Sequence, residues 1–279
     1  MTTALRDELR ELYFDQSKHA VYQSLPDFVQ ERLGLDLPLN HGWRSDRPRY
    51  EYLVRKLDFA GKQVVDIGAN IGFFALNLAQ SFGARVDAYE AHPNHARMIE
   101  RIAAAFGVAG IRVHVQGVGL REATALPPAD IVLFSNVAHH AGHDFDADLV
   151  PDRTALPAHL GGYLRGLGTH AKQLVFQMGY NWGGDKTLPI VPVHDGRALL
   201  EYASVALEQS GWRIDSVALA YRDAGAIGYV DIDWRRARHA PPGPTPTDPV
   251  RALVECAVSQ DGMSEFYRRP LFLCSRGAR

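Results

Sequence analysis

Cysteine is scarce in this 279-residue chain: Cys256 and Cys274 are the only two, and no CxxC spacing joins them. That excludes a disulfide-stapled scaffold and a paired-cysteine zinc site, and leaves two reduced, buried thiols. Excess charge is also missing. The 30 Lys+Arg and 32 Asp+Glu leave a net charge of −2. Sequence-independent nucleic-acid binding needs a strong positive field, so nucleic acid is not an expected partner, although a local basic patch stays open. No apolar run approaches the roughly 20 residues that span a bilayer. Met1 to Glu11 mixes acids with bases and lacks the basic-then-apolar order of a signal peptide. A cytoplasmic protein with no membrane partner is therefore expected. No internal repeat is visible, and the oligomeric state is not readable.

What is present is ordinary for a globular chain: 46% apolar and 22% charged residues. The length suits one large domain, or one domain with an appendage. Leu5, Leu9, Leu12 and Tyr13 recur at helical spacing, and residues 1–58 read as a helical N-terminal cap broken near Pro26 and between Leu35 and Arg49. From residue 59 strands and helices alternate. Strands are predicted at Gln63–Ile67, Arg85–Glu90, Ile111–Val115, Asp130–Ser135, Gln173–Met178 and Trp212–Tyr221. Helices are predicted at Phe73–Phe82, from Pro93 to about Phe106, His159–His170 and Arg197–Gln209. Such alternation signals βαβ units and a parallel sheet. The pattern then breaks: 240–250, APPGPTPTDPV, is a proline-rich loop, Val250–Ser259 is a short helix candidate, and Pro270–Cys274 is a last strand. The domain reading is a cap at 1–58 and a catalytic domain at 59–279 with an insertion at about 231–266.

The strongest local signal is VVDIGANIGFFAL, Val64 to Leu76. An apolar strand runs into a glycine turn and then a helix, the place where open α/β sheets bind ligands. Gly68 and Gly72 allow a tight turn and a close backbone approach. The spacing is not the GxGxxG of a dinucleotide loop. Asp66 closes the strand, and a carboxylate there would repel a pyrophosphate but attract an ammonium. Glu90 closes the next strand, in VDAYEAHP, where an acid can accept both hydroxyls of a ribose.

Together, D-x-G-x-N-x-G and an acid ending the next strand resemble the class I S-adenosylmethionine-dependent methyltransferase family. The resemblance covers roughly Gly61 to Gly142 well and the later strands loosely. It implies a Rossmann-like α/β fold: a doubly wound, mostly parallel seven-stranded sheet, the parallel strands ordered 3-2-1-4-5 and the last strand antiparallel. It implies S-adenosyl-L-methionine as cofactor, with Asp66, Gly68 and Gly72 around the methionine part, Glu90 on the ribose, Ala91 beside the adenine, and Asn70 and Phe73 as further cofactor contacts. SNVAHH, after the fourth strand, is similar to the N-V-L-H-H stretch of many members, which makes Ser135 and Asn136 cofactor contacts near the methyl group.

His139, His140, His143, Asp144, Asp146 and Asp148 crowd the same loop. Three readings stay open: a histidine base for the methyl acceptor, a metal site, or a polar loop facing water. The spacing matches no compact zinc pattern, so no metal is assigned, and His139 and His140 are the catalytic candidates. After the fifth strand, Gln177, Tyr180 and Trp182 are the candidate substrate-binding residues, aromatic walls being suited to a flat or cationic acceptor. Asn181 lies among them. The acceptor pocket is expected between the carboxyl edge of strands four and five and the N-terminal cap. Trp43, Arg44, Arg47 and Arg49 could bind an anion or face solvent, and Arg235, Arg236 and Arg238 read as a solvated basic run. The expected activity is metal-independent methyl transfer to O or N of a small-molecule acceptor. Two alternatives remain: methylation of RNA such as tRNA, and a catalytically silent scaffold that binds adenosylmethionine.

Overall fold

A computed structural model of the chain describes residues 3–14, 23–34, 46–192, 196–239 and 246–276. Trp43, Arg44 and the first part of the proline-rich loop, 240–245, lie outside the described residues. The chain divides into two compact units, Met1–Gly117 and Val118–Arg279.

The first unit holds α1 (Thr3–Tyr13), α2 (Asp27–Leu33), α3 (Asp46–Lys56), β1 (Gln63–Ile67), α4 (Phe73–Phe82), β2 (Arg85–Tyr89), α5 (Pro93–Phe106) and β3 (Ile111–His114). Leu5, Leu9, Leu12 and Tyr13 form the buried stripe of α1, as their spacing requires. Its polar side is tied down as well: Glu8 accepts hydrogen bonds from Arg97 at 2.9 Å and from Arg101 at 2.8 Å, both on α5. The three strands are parallel, in the order β3-β2-β1, with Ile67 paired to Tyr89. That register brings the turn after β1 and the residue after β2 to one edge. All of β1 but its first residue is buried, which explains why it reads as an unbroken apolar run with a single acid.

The second unit holds α6 (Leu120–Ala123), β4 (Ala129–Ser135), α7 (Leu156–His170), β5 (Ala171–Gln177), α8 (Gly196–Gln209), β6 (Trp212–Asp223), β7 (Ala226–Asp231), α9 (Trp234–His239), α10 (Pro249–Cys256) and β8 (Leu271–Arg276). Its strand order is β4-β5-β8-β6-β7. β4 and β5 are parallel, with Ser135 paired to Gln177, while β8 runs antiparallel between β5 and β6. Helix α7 persists through four glycines because Leu156, Leu160, Tyr163, Leu164 and Leu167 bury one face.

The expected seven strands are corrected to eight among the described residues. The additional strand is β7, a hairpin partner of β6 joined through Ala224 and Gly225, whose φ values are 45° and 88°. Two central residues at positive φ match the twist of an antiparallel pair, and Gly225 adopts that geometry without a Cβ clash. The antiparallel character of the final strand agrees with expectation.

Candidate functional site

The first unit carries the glycine-turn constellation. Gly68 and Ala69 donate their backbone N–H groups to Tyr89 O at 2.9 and 3.0 Å, so the turn is sewn to the end of β2. Asn70 adopts φ 51°, and its side-chain Oδ1 accepts from Ile71 N at 2.9 Å. Asparagine is among the few side chains that take this conformation and stabilise it locally. Gly72 follows at φ 84° and opens α4, and a Cβ there would lie 2.8 Å from Ile99 Cγ1. The turn thus brings backbone close to α5, and the glycine is required twice over.

Glu90 meets this turn directly. Its Oε2 accepts from Asn70 N at 2.7 Å and its Oε1 from His92 N at 2.8 Å. Two backbone donors fix the carboxylate while each oxygen keeps a second lone pair. Asp66 is 5% exposed, and its Oδ2 is enclosed without a hydrogen-bond partner. Burial pushes its carboxyl up to about 7; the nearby charge of Glu90 adds to the rise and Arg49 opposes it. Arg49 comes from α3, is 5% exposed, lies 3.1 Å from Asp46 and stacks over the ring of Phe74 at 4.8 Å. Arg49 is therefore an interior cation and not part of a solvated face, whereas Arg47 pairs with Asp27 nearer the surface. Phe73 is buried in the first turn of α4, and Ala91 directly follows Glu90.

The second unit gathers the later candidates at the carboxyl ends of β4 and β5. Ser135 and Asn136 are half-buried. Asn136 takes φ 61°, and its N–H donates to Gln177 O at 2.7 Å. Gln177 is fully buried, as is Tyr180, whose hydroxyl donates to Arg268 O at 2.9 Å. Trp182 donates its indole N–H to Ala141 O at 2.6 Å and packs against the cluster of Ala141, Val150 and Leu156. These three aromatic and amide groups therefore also hold the loops that carry them.

His139 is 2% exposed, and its Nδ1 accepts from Gly179 N at 3.1 Å. A neutral imidazole that accepts at Nδ1 carries its proton on Nε2. His140 is more open, with a side chain 16% exposed and Nδ1 3.0 Å from Asp144 Oδ2. His143 contacts Trp182 edge-on. Asp146 belongs elsewhere: its Oδ2 accepts from Leu120 N and lies 2.7 Å from His159 Nε2. The crowded loop thus separates into residues with different partners. Among the described residues no group of three or more His, Cys, Asp and Glu side chains is arranged to hold a metal ion.

Sequence reasoning missed Arg269 and Glu265. Arg269 is 4% exposed, and it donates from Nη1 to Asn136 Oδ1 at 2.8 Å and from Nη2 to Glu265 Oε1 at 2.6 Å. The only sequence signal was a basic pair, Arg268 and Arg269, just before an apolar strand, where a buried cation is unusual.

No family model matches the sequence, and no curated protein matches it. Solved structures do share the fold. A crystal structure of WbdD matches 96% of this chain and 46% of its own, at 16% identity and a TM-score of 0.54. A second structure of WbdD, described as a bifunctional kinase-methyltransferase, matches at 16% identity and a TM-score of 0.53. This chain thus spans about half the length of that protein. The magnesium protoporphyrin IX methyltransferase ChlM from Synechocystis PCC 6803, solved with bound SAM, matches 97% of this chain and 90% of its own at 14% identity and a TM-score of 0.49. With the glycine turn, the two acids and the strand orders above, the chain has the class I methyltransferase fold.

Proposed function

We propose that this chain is an S-adenosylmethionine-dependent methyltransferase that acts on O or N of a small-molecule acceptor and needs no metal. The observation that carries the reading is Asp66: a nearly buried carboxylate whose Oδ2 accepts no hydrogen bond, at the mouth of a glycine turn. Such an acceptor fits an ammonium donor and, in its ionised form, repels a pyrophosphate. Glu90, oriented by Asn70 and His92, fits vicinal hydroxyls through its remaining lone pairs. Gly68, Asn70 and Gly72 supply the closely approached backbone wall, with Phe73 beside it and Ala91 at the adenine. The assignment of Ser135 and Asn136 to the donor rests on the sequence resemblance.

When bound, S-adenosylmethionine supplies an activated methyl carbon whose leaving group is a neutral thioether, so the displacement calls for no Lewis acid. The chain's own task is alignment, an effect worth at most about 7–11 kcal/mol. On the acceptor side the reading keeps Gln177, Tyr180 and Trp182 as binding groups and His139 and His140 as candidates for removing a proton. His140, the more exposed of the two, is the better placed to meet a substrate. Residues 1–58 are assigned as a helical cap, and 231–266 as an insertion in the transferase domain.

A small acceptor is favoured over RNA by the basic run in α9. Arg236 lies 2.9 Å from Glu255 and Arg238 2.7 Å from Glu208. These two charges each meet a carboxylate, although Glu255 also serves Arg251 and Arg235 lies over the Trp234 ring; with a net charge of −2 the chain as a whole offers little to a phosphate backbone. Calorimetry with S-adenosylmethionine and with NAD tests the donor: tight binding of NAD, or none of S-adenosylmethionine, defeats the reading. Labelled donor offered to a metabolite extract and to total RNA then separates the acceptors, and transfer to neither leaves the silent scaffold.

A further inference from the structure

We propose that Arg269 is a positioning residue that sets the direction of the Asn136 carboxamide. The inference deepens the methyltransferase reading and rests on its assignment of Asn136 to the methyl donor. The geometry is a closed ring of hydrogen bonds. Arg269 Nη1 donates to Asn136 Oδ1 at 2.8 Å, Asn136 Nδ2 donates to Gln177 Oε1 at 3.1 Å, and Gln177 Nε2 donates to the backbone O of Arg269 at 2.9 Å. Three segments distant in sequence, the ends of β4 and β5 and the approach to β8, are joined by this ring in addition to the backbone bond from Asn136 N–H to Gln177 O.

Each contact has only one sense. A guanidinium donates and never accepts, so Asn136 must turn its carbonyl towards Arg269 and its amide towards Gln177. Gln177 must then accept from Asn136 and donate to the Arg269 carbonyl. Rotating either carboxamide by half a turn would set donor against donor. Arg269 is itself held from behind: Nη2 donates to Glu265 Oε1 at 2.6 Å, the guanidinium lies 4.0 Å over the Phe266 ring, and Glu265 Oε2 accepts from Asn181 Nδ2 at 3.3 Å.

This is a costly way to close a loop. A buried ion pair loses much of its attraction to desolvation, and apolar packing of the same volume commonly serves stability as well or better. What the charged fork adds is orientation. Gln177 and Arg269 are buried, whereas Asn136 is half-exposed and sits at φ 61°. Asn136 is therefore the member of the ring with exposed surface, and one N–H and one carbonyl lone pair of its carboxamide lie beyond the ring's own bonds.

The test uses the full chain with S-adenosylmethionine and S-adenosylhomocysteine as calorimetric probes. Arg269→Lys keeps a cation for Glu265 but loses the fork; Arg269→Met combined with Glu265→Gln removes the pair without leaving a lone buried carboxylate. Both should weaken binding of the two probes about tenfold, the scale of one oriented hydrogen bond. Asn136→Ala should do the same, and adding Arg269→Lys to it should weaken binding no further, because the two residues act as one unit. A role confined to stability would lower the melting temperature and leave the affinity of the folded protein unchanged. Binding within twofold of wild type in folded Arg269→Lys, or losses that multiply in the double variant, would overturn the proposal. If the Met/Gln variant does not fold, the lysine variant decides alone. If wild type binds neither probe, the donor reading fails, yet side-chain amide NMR still reads the ring: the Asn136 and Gln177 NH2 signals should be protected from exchange in wild type and exposed in Arg269→Lys. Unprotected signals in wild type would refute it.

Discussion

The backbone N–H of Asn70 donates to Glu90 Oε2 at 2.7 Å, which ties the turn after β1 to the residue that follows β2. Asn70 holds φ 51° while it does so, and the second oxygen of Glu90 takes the N–H of His92 at 2.8 Å. The carboxylate thus organises the backbone of the turn in addition to offering itself to a ligand.

That double duty sets the first prediction. Glu90→Ala leaves two backbone donors without their acceptor, at about 1–3 kcal/mol if they stay buried, so thermal stability should fall measurably. Affinity for S-adenosylmethionine should fall tenfold or more in calorimetry. Glu90→Gln retains one acceptor oxygen and should lie between wild type and alanine on both measurements. An alanine variant with unchanged affinity would remove Glu90 from the donor site.

Asp66 supplies a pH dependence with a definite sign. Burial first, then the charge of Glu90, raise its carboxyl from 3.8 to about 7 against the opposing effect of Arg49. Between those values the folded chain binds a proton that the unfolded chain has released. The contribution of this group to stability is therefore full below the lower value, declines as pH rises, and is level above about 7. Melting temperatures of wild type and Asp66→Asn across this range should show that decline in wild type only. Donor affinity should run the other way and strengthen with rising pH, because only the carboxylate attracts an ammonium. A pH-independent affinity that disappears in Asp66→Asn would assign Asp66 a hydrogen-bonding role alone.

Gly72 is tested by adding one methyl. Its φ of 84° is unfavourable for alanine, and the new Cβ would meet Ile99 Cγ1 at 2.8 Å and Leu76 Cδ1 at 3.2 Å. Gly72→Ala should cost about 1–3 kcal/mol from backbone strain alone, with the contact in addition. Ile99→Ala removes the nearer obstacle but not the strain, so the two changes should be less than additive in a double-mutant cycle of denaturant unfolding. Full additivity would show that the turn relaxes away from α5.

The elements legible in the sequence are those whose physics is local. β1, α4 and α5 fall within the expected bounds because a buried strand, an amphipathic period, a proline start and a glycine stop lie within a few residues of one another. β7 was missed because its burial is weak: of Ala226–Asp231 only Tyr229 is buried. Its hairpin still left a trace in Asp223-Ala224-Gly225, a short turn signal ahead of Ile227, Tyr229 and Val230. Asp66 and Glu90 could be singled out because each closes a strand beside a glycine turn. Arg269 could not. Its partners, Asn136 and Gln177, are distant in sequence, and no periodicity connects a guanidinium to a carboxamide on another strand. The buried state of Gln177 and Tyr180 was hidden for the same reason, since their partners include Arg269 and Arg268, some ninety residues away.

The two adjacent histidines should separate by experiment. His139 is buried, and its Nδ1 already accepts the Gly179 N–H at 3.1 Å. A Cβ built on Gly179 would lie 2.7 Å from its Nε2, so the ring fills the space against that backbone. His139→Ala should leave a buried donor unsatisfied at about 1–3 kcal/mol and a void beside it. It should therefore lower the melting temperature, while activity per folded molecule falls less. His140 is partly exposed, with Asp144 3.0 Å from its Nδ1. A partly exposed imidazole beside a carboxylate can take a proton from an acceptor. His140→Ala should cost less stability than His139→Ala, keep affinity for S-adenosylmethionine within threefold, and cut turnover about a hundredfold, the lower range for loss of a general base. Trp182→Ala should lower turnover too, but with a stability loss, because its indole packs on Val150 and Leu156 and donates to Ala141. Turnover is read from transfer of labelled methyl to the acceptor found in the metabolite screen. If His140→Ala turns over like wild type and His139→Ala is silent while fully folded, the base lies at the buried histidine, and the Gly179 contact must break during the reaction.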